Sequence, residues 1–216
     1  NNSFFYPSAS LSWVFSDFMR SIDHKLPSWI TFAKLRVSAA QVGKDPAPYN
    51  LYNVRKYQFE MGNRKPINNT IKLNANLKPE IKTSYEVGVD MKFFDNRLGF
   101  DFTYYYNTTK NQAMLVDASS PWTQQWVNAG KINNTGVEFM LYGTPVKTRD
   151  FQFDITANLA HNRSTVKELA DGVNRVYFAG DSNMPVKVGA VKGGKLGDIF
   201  ANNLMQRDAQ GRVIIG

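Results

Sequence analysis

The stretch YEVGVDMKFFDNRLGFDFTYYY, residues 85–106, decides the fold class. In residues 85–93, apolar side chains occupy every second position, and polar residues or glycine occupy the positions between them. The same period returns in residues 98–106, after the turn-forming residues 95–97. A period of two is typical of a strand with two different faces. Two such strands joined by three turn formers predict a tight β-hairpin.

Alternation also predicts strands on both sides of this hairpin. Residues 137–142 and 151–159 form a second predicted pair, with residues 145–150 as its turn. Toward the N-terminus, residues 9–15 and 34–39 alternate in the same way. The chain is therefore expected to be all-β and antiparallel.

The connections between the expected strands are of two kinds. Short ones follow Phe94 and Tyr142, and long polar segments cover about residues 43–77, 108–130 and 163–186. In an up-and-down barrel, this order places every short turn at one end and every long loop at the other. Short periplasmic turns and long extracellular loops are the arrangement of outer-membrane barrels.

Strand length supports a membrane barrel. The expected strands have about 10–14 residues, against a usual mode of ~5–6 in globular proteins, and tilted strands of ~9–11 residues span a bilayer. Aromatic residues gather at the strand ends, as in the girdles at the two membrane–water interfaces. One connection departs from the pattern, because residues 16–29 are longer than a tight turn, and we expect a short helix from Ser21 to Trp29.

Composition is compatible with this interpretation and excludes other classes. The 216 residues include no cysteine, so thiol chemistry and disulfide scaffolds are excluded. Mean hydropathy is −0.39, and no run approaches the ~18 apolar residues of a membrane-spanning helix. The net charge of +8 comes from scattered lysines and arginines, which argues against a nucleic-acid surface. The absence of a leader and the apolar end at residues 213–216 indicate a section of a longer polypeptide.

If the apolar face meets lipid, the polar side chains that alternate with the apolar ones along each strand point into the lumen. A Lys or Arg facing lipid at mid-depth would cost ~2–4 kcal/mol, so charges belong on the wet side. The residues predicted to face the lumen are Glu86, Asp90, Lys92, Asp101, Glu138, Gln152 and Asp154.

No pattern in the sequence predicts catalysis, a metal site or a cofactor. The two histidines, His24 and His161, lie far apart and in no metal-ligand spacing. Residues 193–195, Gly-Gly-Lys, lack the spacing of a phosphate-binding loop. Glu86 and Asp90 share a strand face, but solvated lumen residues explain them better than an acid–base pair.

Aromatic residues in the long polar segments are candidate ligand contacts. Flat rings stack on the apolar faces of sugars and lose little conformational freedom in doing so. The alternative is packing against neighbouring loops or other protein. The candidates are Trp122, Trp126, Tyr177, Tyr49 and Tyr52.

Several of these stretches also resemble a known family. Residues 77–98, with LKPE, SYEVGVD and FFDNRL, are similar to a strand pair of SusC/RagA-type TonB-linked outer-membrane transporters. Residues 128–139, NAGKINNTGVEF, and residues 151–164 resemble the strands that follow. Residues 7–13 and 34–38 fit as well, and so does the turn DAQG near the C-terminal end.

The resemblance implies active import through a large barrel of ~22 strands, closed by an N-terminal plug. It implies a TonB complex that acts through the N-terminal region, and a SusD-like lipoprotein that captures glycans or peptides outside. Residues 1–216 would be a later part of the barrel domain, without the plug or the closing strands. The location would be the outer membrane, in contact with its lipid, and the chain would be neither an enzyme nor a nucleic-acid-binding protein.

Two alternatives stay open at this point. The first is a passive outer-membrane pore or small closed barrel, complete in about eight strands, which requires a closed hydrogen-bond ladder. The second is a soluble carbohydrate-binding β-sandwich. It requires Trp13 and Phe102 to be buried in a dry core between two sheets.

Overall fold

The structure is a computed structural model that describes residues 4–23, 26–52, 56–67, 70–170, 172–179, 186–201 and 210. It has two compact units. Unit 1 comprises residues 1–45, 79–112 and 132–164, and unit 2 comprises residues 46–78, 113–131 and 165–216. No helix in the described ranges has the length and apolar content needed to cross a membrane.

Strands dominate both units. In chain order the elements are β1 (Ser8–Val14), α1 (Phe15–Ser21), β2 (Ile30–Lys44), a 3-10 turn (Pro48–Asn50), β3 (Lys56–Glu60), β4 (Asn63–Ile67), β5 (Ile71–Lys72), β6 (Glu80–Phe93), β7 (Leu98–Asp117), β8 (Gln124–Lys147), β9 (Gln152–Leu169), β10 (Arg175–Ala179), β11 (Val186–Val191) and β12 (Asp198–Ala201).

The main sheet is an antiparallel meander with the order β1-β2-β6-β7-β8, and β9 pairs with β8. The two-residue strand β5 adds a parallel pairing to the start of β8. Within unit 2, β10, β11 and β12 form a three-stranded antiparallel sheet, and β3 and β4 form a hairpin. This confirms the all-β, antiparallel fold expected from the alternation.

The register gives the main sheet two chemically different faces. Leu11, Val37, Val87 and Tyr104 lie opposite one another across β1, β2, β6 and β7. The adjacent row is Ser12, Arg36, Gly88 and Thr103. Successive side chains of a strand point to opposite faces, so the first row lies on an apolar face and the second on a polar face.

Large side chains on the apolar face of unit 1 are exposed among the described residues. Leu11 is 69% exposed and Leu159 is 67% exposed. Trp13 and Phe102, which a soluble sandwich would bury, are 41% and 38% exposed. The sandwich hypothesis is therefore wrong for this chain, because its two diagnostic side chains lie on an open surface.

The main sheet also does not close on itself. Among the described residues, β1 pairs only with β2 and β9 only with β8. A complete small barrel needs those two edges to be hydrogen-bonded, so the alternative of a closed eight-stranded barrel is wrong, and the open segment that was expected is confirmed.

The helix predicted from Ser21 to Trp29 is wrong, because the described residues after Ser21 in that range are not helical. The short helix of this connection covers Phe15–Ser21 instead, and His24 lies outside the described residues. The Trp13 ring packs edge-on against Phe15 and Phe18, with centroids 5.3 and 5.5 Å apart. Aromatic packing onto the end of β1 therefore ends the alternation before Phe15, which the sequence pattern had assigned to the strand.

The short turns are confirmed, with one boundary corrected. β6 ends at Phe93 and β7 begins at Leu98, as expected. The second turn was predicted over residues 145–150, but β8 continues to Lys147 and the turn covers residues 148–151. The Thr148 hydroxyl donates to the carbonyl of Phe151 at 3.1 Å and accepts from its N–H at 3.0 Å. These bonds, and not the proline at position 145, fix where the strand ends.

The long polar segments are more ordered than their composition predicts. β7 has 20 residues, β8 has 24 and β9 has 18, against the 10–14 expected. Parts of the segments 108–130 and 163–186 are continuations of these strands. Both faces of a strand are wet outside the membrane, so polar residues occupy both sides and the alternation disappears.

Candidate functional site

The polar face of unit 1 carries all seven residues predicted to face the lumen. Glu86, Asp90 and Lys92 alternate along β6, and Asp101 of β7 lies directly opposite Asp90. A depression of about 410 Å³ is lined by Asp101, Thr103 and Glu138, together with residues of β9. The sheet therefore brings these carboxylates onto one surface.

An ion pair crosses three strands on this face. The Arg36 guanidinium on β2 donates to the Asp101 carboxylate on β7 at 2.8 Å and to the Thr103 hydroxyl at 3.3 Å. Strand β6 lies between them, and its residue opposite Arg36 is Gly88. A Cβ atom at Gly88 would lie 2.8 Å from Arg36 Nη2. Glycine at this position is therefore what lets the arginine lie flat across β6.

Two more glycines on the polar face lie under long side chains. A Cβ atom at Gly99 of β7 would overlap the ring of Tyr142 of β8. A Cβ atom at Gly136 of β8 would overlap the ring of Tyr105 of β7. Aromatic side chains laid over strand glycines restore the packing that the missing side chain removes. The polar face is consequently a fixed surface and not a set of free side chains.

The two predicted polar residues of β9 lie near the short turn. Asp154 accepts from the Thr144 hydroxyl of β8 at 2.6 Å. The Gln152 amide also donates to Asp154, at 2.8 and 3.1 Å. This small network ties the start of β9 to the end of β8.

Nothing on the described surface forms a metal or catalytic cluster. Within the described ranges, no group of three His, Cys, Asp or Glu side chains could hold a metal ion. His161 lies exposed on β9. The polar face presents charged groups and hydroxyls that are able to form hydrogen bonds.

All five candidate ligand-contact aromatics lie in unit 2. Tyr52 is 66% exposed, whereas Trp122 and Trp126 are half-buried. Trp126 lies in β8 and Tyr177 in β10, so neither is the loop residue that was expected. Tyr49 lies in the 3-10 turn, and its side chain is outside the described part of the structure.

Side-chain amides hold the segment around Trp126 in place. Asn74 donates from its amide to the carbonyl of Trp126 at 3.2 Å. The Asn128 amide donates to the Lys78 carbonyl at 2.9 Å, and its carbonyl oxygen accepts from the Lys78 N–H at 2.8 Å. These asparagines favoured a loop in the sequence. In the structure their side chains form hydrogen bonds with the backbone that join the segments 70–78 and 124–128.

Tyr177 is the centre of a cationic cluster that the sequence did not reveal. Lys187 Nζ lies 4.9 Å from the Tyr177 ring centroid, and Arg175 lies 4.4 Å from that of Phe200. Arg175 also donates to the Tyr177 hydroxyl at 2.9 Å. The only sequence signal was the spacing of Arg175 and Tyr177 by two on one strand. The pairing of β10 with β11 and β12 was needed to add Lys187 and Phe200.

A two-faced antiparallel sheet of long strands, apolar and exposed on one side and charged on the other, is a stretch of outer-membrane β-barrel. Residues 1–187 match the family described as TonB dependent receptor-like, beta-barrel. The chain belongs to this family. The expected outer-membrane location is thereby confirmed.

Relatives of known name agree with this assignment. TonB-dependent receptor SusC of Bacteroides thetaiotaomicron is 26% identical over 191 residues, which cover 82% of this chain and 18% of SusC. TonB-dependent receptor P3 of Formosa agariphila is 26% identical over 183 residues, covering 80% of this chain and 18% of P3. The chain therefore spans about 18% of the length of these relatives.

Solved structures are similar in fold. The RagAB peptide importer in the closed-closed state aligns with a TM-score of 0.75 at 20% identity, over 99% of this chain and 25% of that one. The RagAB peptide transporter aligns with a TM-score of 0.73 at 21% identity, over 87% of this chain and 20% of that one. The SusC/RagA-type resemblance is thus confirmed.

Proposed function

We propose that residues 1–216 are a later portion of the barrel domain of an energised outer-membrane importer. The whole barrel would have ~22 strands, with its plug and closing strands in other parts of the protein. The nutrients would be oligosaccharides or other large molecules, captured outside by a SusD-like lipoprotein. Energy would come from a TonB complex acting through the N-terminal region.

The contrast between the two faces of the main sheet carries this proposal. One face exposes Leu11, Val37 and Leu159, and the other bears Arg36 and Asp101 as an ion pair. A surface of the first kind is stable only against acyl chains or other protein, and a surface of the second kind requires water. A barrel wall between lipid and a hydrated lumen satisfies both requirements.

The seven polar residues would line the path of the nutrient or the surface that holds the plug. Arg36 and Asp101 neutralise each other at 2.8 Å, so this part of the wall would present hydrogen-bonding groups without a strong net field. Glu86, Asp90 and Glu138 would add negative charge beside it. These side chains would guide a polar solute by hydrogen bonds and not by chemistry, so we propose no enzymatic role.

The aromatics of unit 2 would contact the nutrient before it enters. Tyr52 is the most open of those described, and a flat exposed ring suits the apolar face of a sugar. The peptide class is supported by the similarity in fold to the RagAB peptide importer, and the glycan class rests on the resemblance to SusC-type transporters. The unit would therefore serve a glycan or a peptide, with stacking as the common interaction.

Conductance of the whole gene product tests the proposal without knowledge of the nutrient. We expect the purified full-length protein to conduct almost no ions in a planar bilayer, because the plug closes the barrel. Deletion of the plug should open a large steady conductance. A passive pore would conduct fully with its N-terminal region intact, and that result would overturn the proposal.

A second measurement addresses energy and partner. A strain without the gene should lose growth on one oligosaccharide or peptide, and the full gene should restore it only when the energising complex is present. Restoration in a strain without that complex would contradict active import. Affinity purification of the tagged full-length protein should recover a lipoprotein at a near-equal ratio. Recovery of the transporter alone would contradict the lipoprotein partnership.

A further inference from the structure

A groove of about 510 Å³ interrupts the apolar face of unit 1 at its short-turn end. Leu98 of β7, Leu141 of β8 and Ile155 of β9 form its walls, and Gly143 and Ala157 lie between them. Arg97, in the turn that joins β6 to β7, also lines the groove, with Phe94, Thr144 and Pro145. The groove is therefore mainly apolar, with one cationic residue in its lining.

Gly143 differs from four other glycines of the main sheet. Gly43, Gly88, Gly99 and Gly136 each lie under a long side chain from a neighbouring segment. A Cβ atom at Gly143 would instead meet only the Arg97 carbonyl and the Leu98 side chain, both at the ordinary contact distance of 3.5 Å. No side chain of the described residues covers this glycine, and the groove is the space left above it.

The side chain of Arg97 is exposed and available to a ligand. Arg97 uses its backbone N–H and carbonyl in the turn, with bonds to Phe94 and from Thr144. Within the described part of the chain, its guanidinium forms no ion pair. The Phe94 ring beside it is 54% exposed, as expected for an aromatic at a membrane–water interface. An unpaired guanidinium at that depth matches the phosphate of a lipid.

We infer that this groove is a binding site for one phospholipid of the periplasmic leaflet. One acyl chain would lie over Gly143 and Ala157 between the three apolar walls, and the phosphodiester would accept hydrogen bonds from Arg97. The inference rests on the proposed barrel orientation, in which short turns face the periplasm. The groove continues the lipid-facing surface of the barrel, so an acyl chain enters it from the bilayer without crossing water.

Lipid retention by the full-length protein tests the site. The protein is extracted in mild detergent, and phospholipid that remains bound is counted by native mass spectrometry. Gly143→Leu fills the groove, and Ala39→Leu makes the same kind of change on an exposed alanine of the apolar face outside it. Arg97→Gln removes the groove cation, and Arg149→Gln removes an exposed arginine from the other short turn.

We expect one retained phospholipid on the wild type and on both controls. Gly143→Leu should reduce the retained fraction at least fivefold, and Arg97→Gln should reduce it severalfold, with partial recovery in Arg97→Lys. Equal retention by Gly143→Leu, Arg97→Gln and the wild type would overturn the inference, as would a wild type without bound phospholipid. Retention of lipopolysaccharide in place of phospholipid would also overturn it.

Two readouts separate this site from the proposed transport function. Heat-modifiable gel mobility reports whether each variant folds. If Gly143→Leu does not fold, the arginine variants test the lipid site. Planar-bilayer conductance reports whether the plug closes the barrel to ions. We expect the groove variants to leave this conductance unchanged. Lipid retention can therefore fail while gated conductance stands, and the reverse also holds.

Discussion

Arg36 and Asp101 form an ion pair at 2.8 Å although a whole strand separates them. The pair crosses β6 at Gly88, where a Cβ atom would lie 2.8 Å from Arg36 Nη2 and displace the guanidinium. Their side chains are 35% and 24% exposed. The contact is thus partly shielded from water and joins β2 to β7 in addition to the backbone ladder.

Uncoupling this pair should measurably weaken the barrel. We expect Arg36→Gln and Asp101→Asn in the full-length protein each to lower the unfolding free energy by about 1–2 kcal/mol, since each leaves a half-buried charge alone. The double variant should lower the unfolding free energy by less than the sum of the two single variants, with a coupling free energy of about 1 kcal/mol. Denaturant unfolding of the wild type and the three variants in lipid vesicles measures this double-mutant cycle. Strictly additive costs would show that the two groups do not interact.

Gly99 and Tyr142 provide a second test of the polar face. Gly99→Val places a side chain where the Tyr142 ring lies, and overpacking of this kind costs about 1–3 kcal/mol. Combining it with Tyr142→Ala should recover part of the loss, because the ring no longer has to move. Val146→Ala, on an exposed part of β8, is the control for a tolerated change. No recovery in the double variant would contradict the covering role of Tyr142.

The tight turn before β7 predicts that glycine and alanine at position 96 have different effects on the unfolding free energy. Asn96 has a φ of 66°, in the left-handed region, as do Phe94 and Asp95. Asn96→Ala should lower the unfolding free energy by about 1 kcal/mol because alanine lacks the local stabilisation of asparagine there. Asn96→Gly should be nearly neutral. The same unfolding assay compares the two, and equal effects would mean that the turn adopts another conformation.

The exposed aromatics predict an order of importance for nutrient binding. If the proposed nutrient is an oligosaccharide, Tyr52→Ala should weaken its binding by about three- to tenfold, as expected for loss of one stacking ring. Trp126→Ala should act mainly on stability, because its ring is half-buried and its backbone is tied to Asn74. Calorimetric titration of the full-length protein with the nutrient measures binding, and denaturant unfolding measures stability. A larger binding loss for Trp126→Ala would reverse the assignment.

Much of the barrel wall could be predicted from the sequence because lipid on one side and water on the other force a period of two. That period located β6 and its turn to β7, and it gave both faces of β9. It could not locate the ends of β7 and β8, since strands that leave the membrane are wet on both faces. Thr148 shows a related limit, because a side-chain hydrogen bond and not a proline ends β8.

The candidate site was predicted in composition but not in arrangement. The alternation identified Asp101 as a residue of the polar face, yet it gave no sign of its partner Arg36, which is 65 positions earlier. Contacts of this kind depend on the register between non-consecutive strands. They also depend on glycines that leave room for a long side chain to lie across the strand. Similarly, Lys187 and Phe200 join Tyr177 only through the pairing of β11 with its two neighbours.

The most direct test of the account asks what the apolar face touches in the membrane. Spin labels are placed singly at Val87, Phe102, Glu86 and Asp101 of the full-length protein in liposomes. We predict that labels at Val87 and Phe102 collide freely with dissolved oxygen and hardly with a water-soluble nickel chelate, whereas labels at Glu86 and Asp101 lack this lipid signature. Labels at Val87 and Phe102 shielded from both reagents would mean that protein covers the face, and would contradict the barrel wall proposed here.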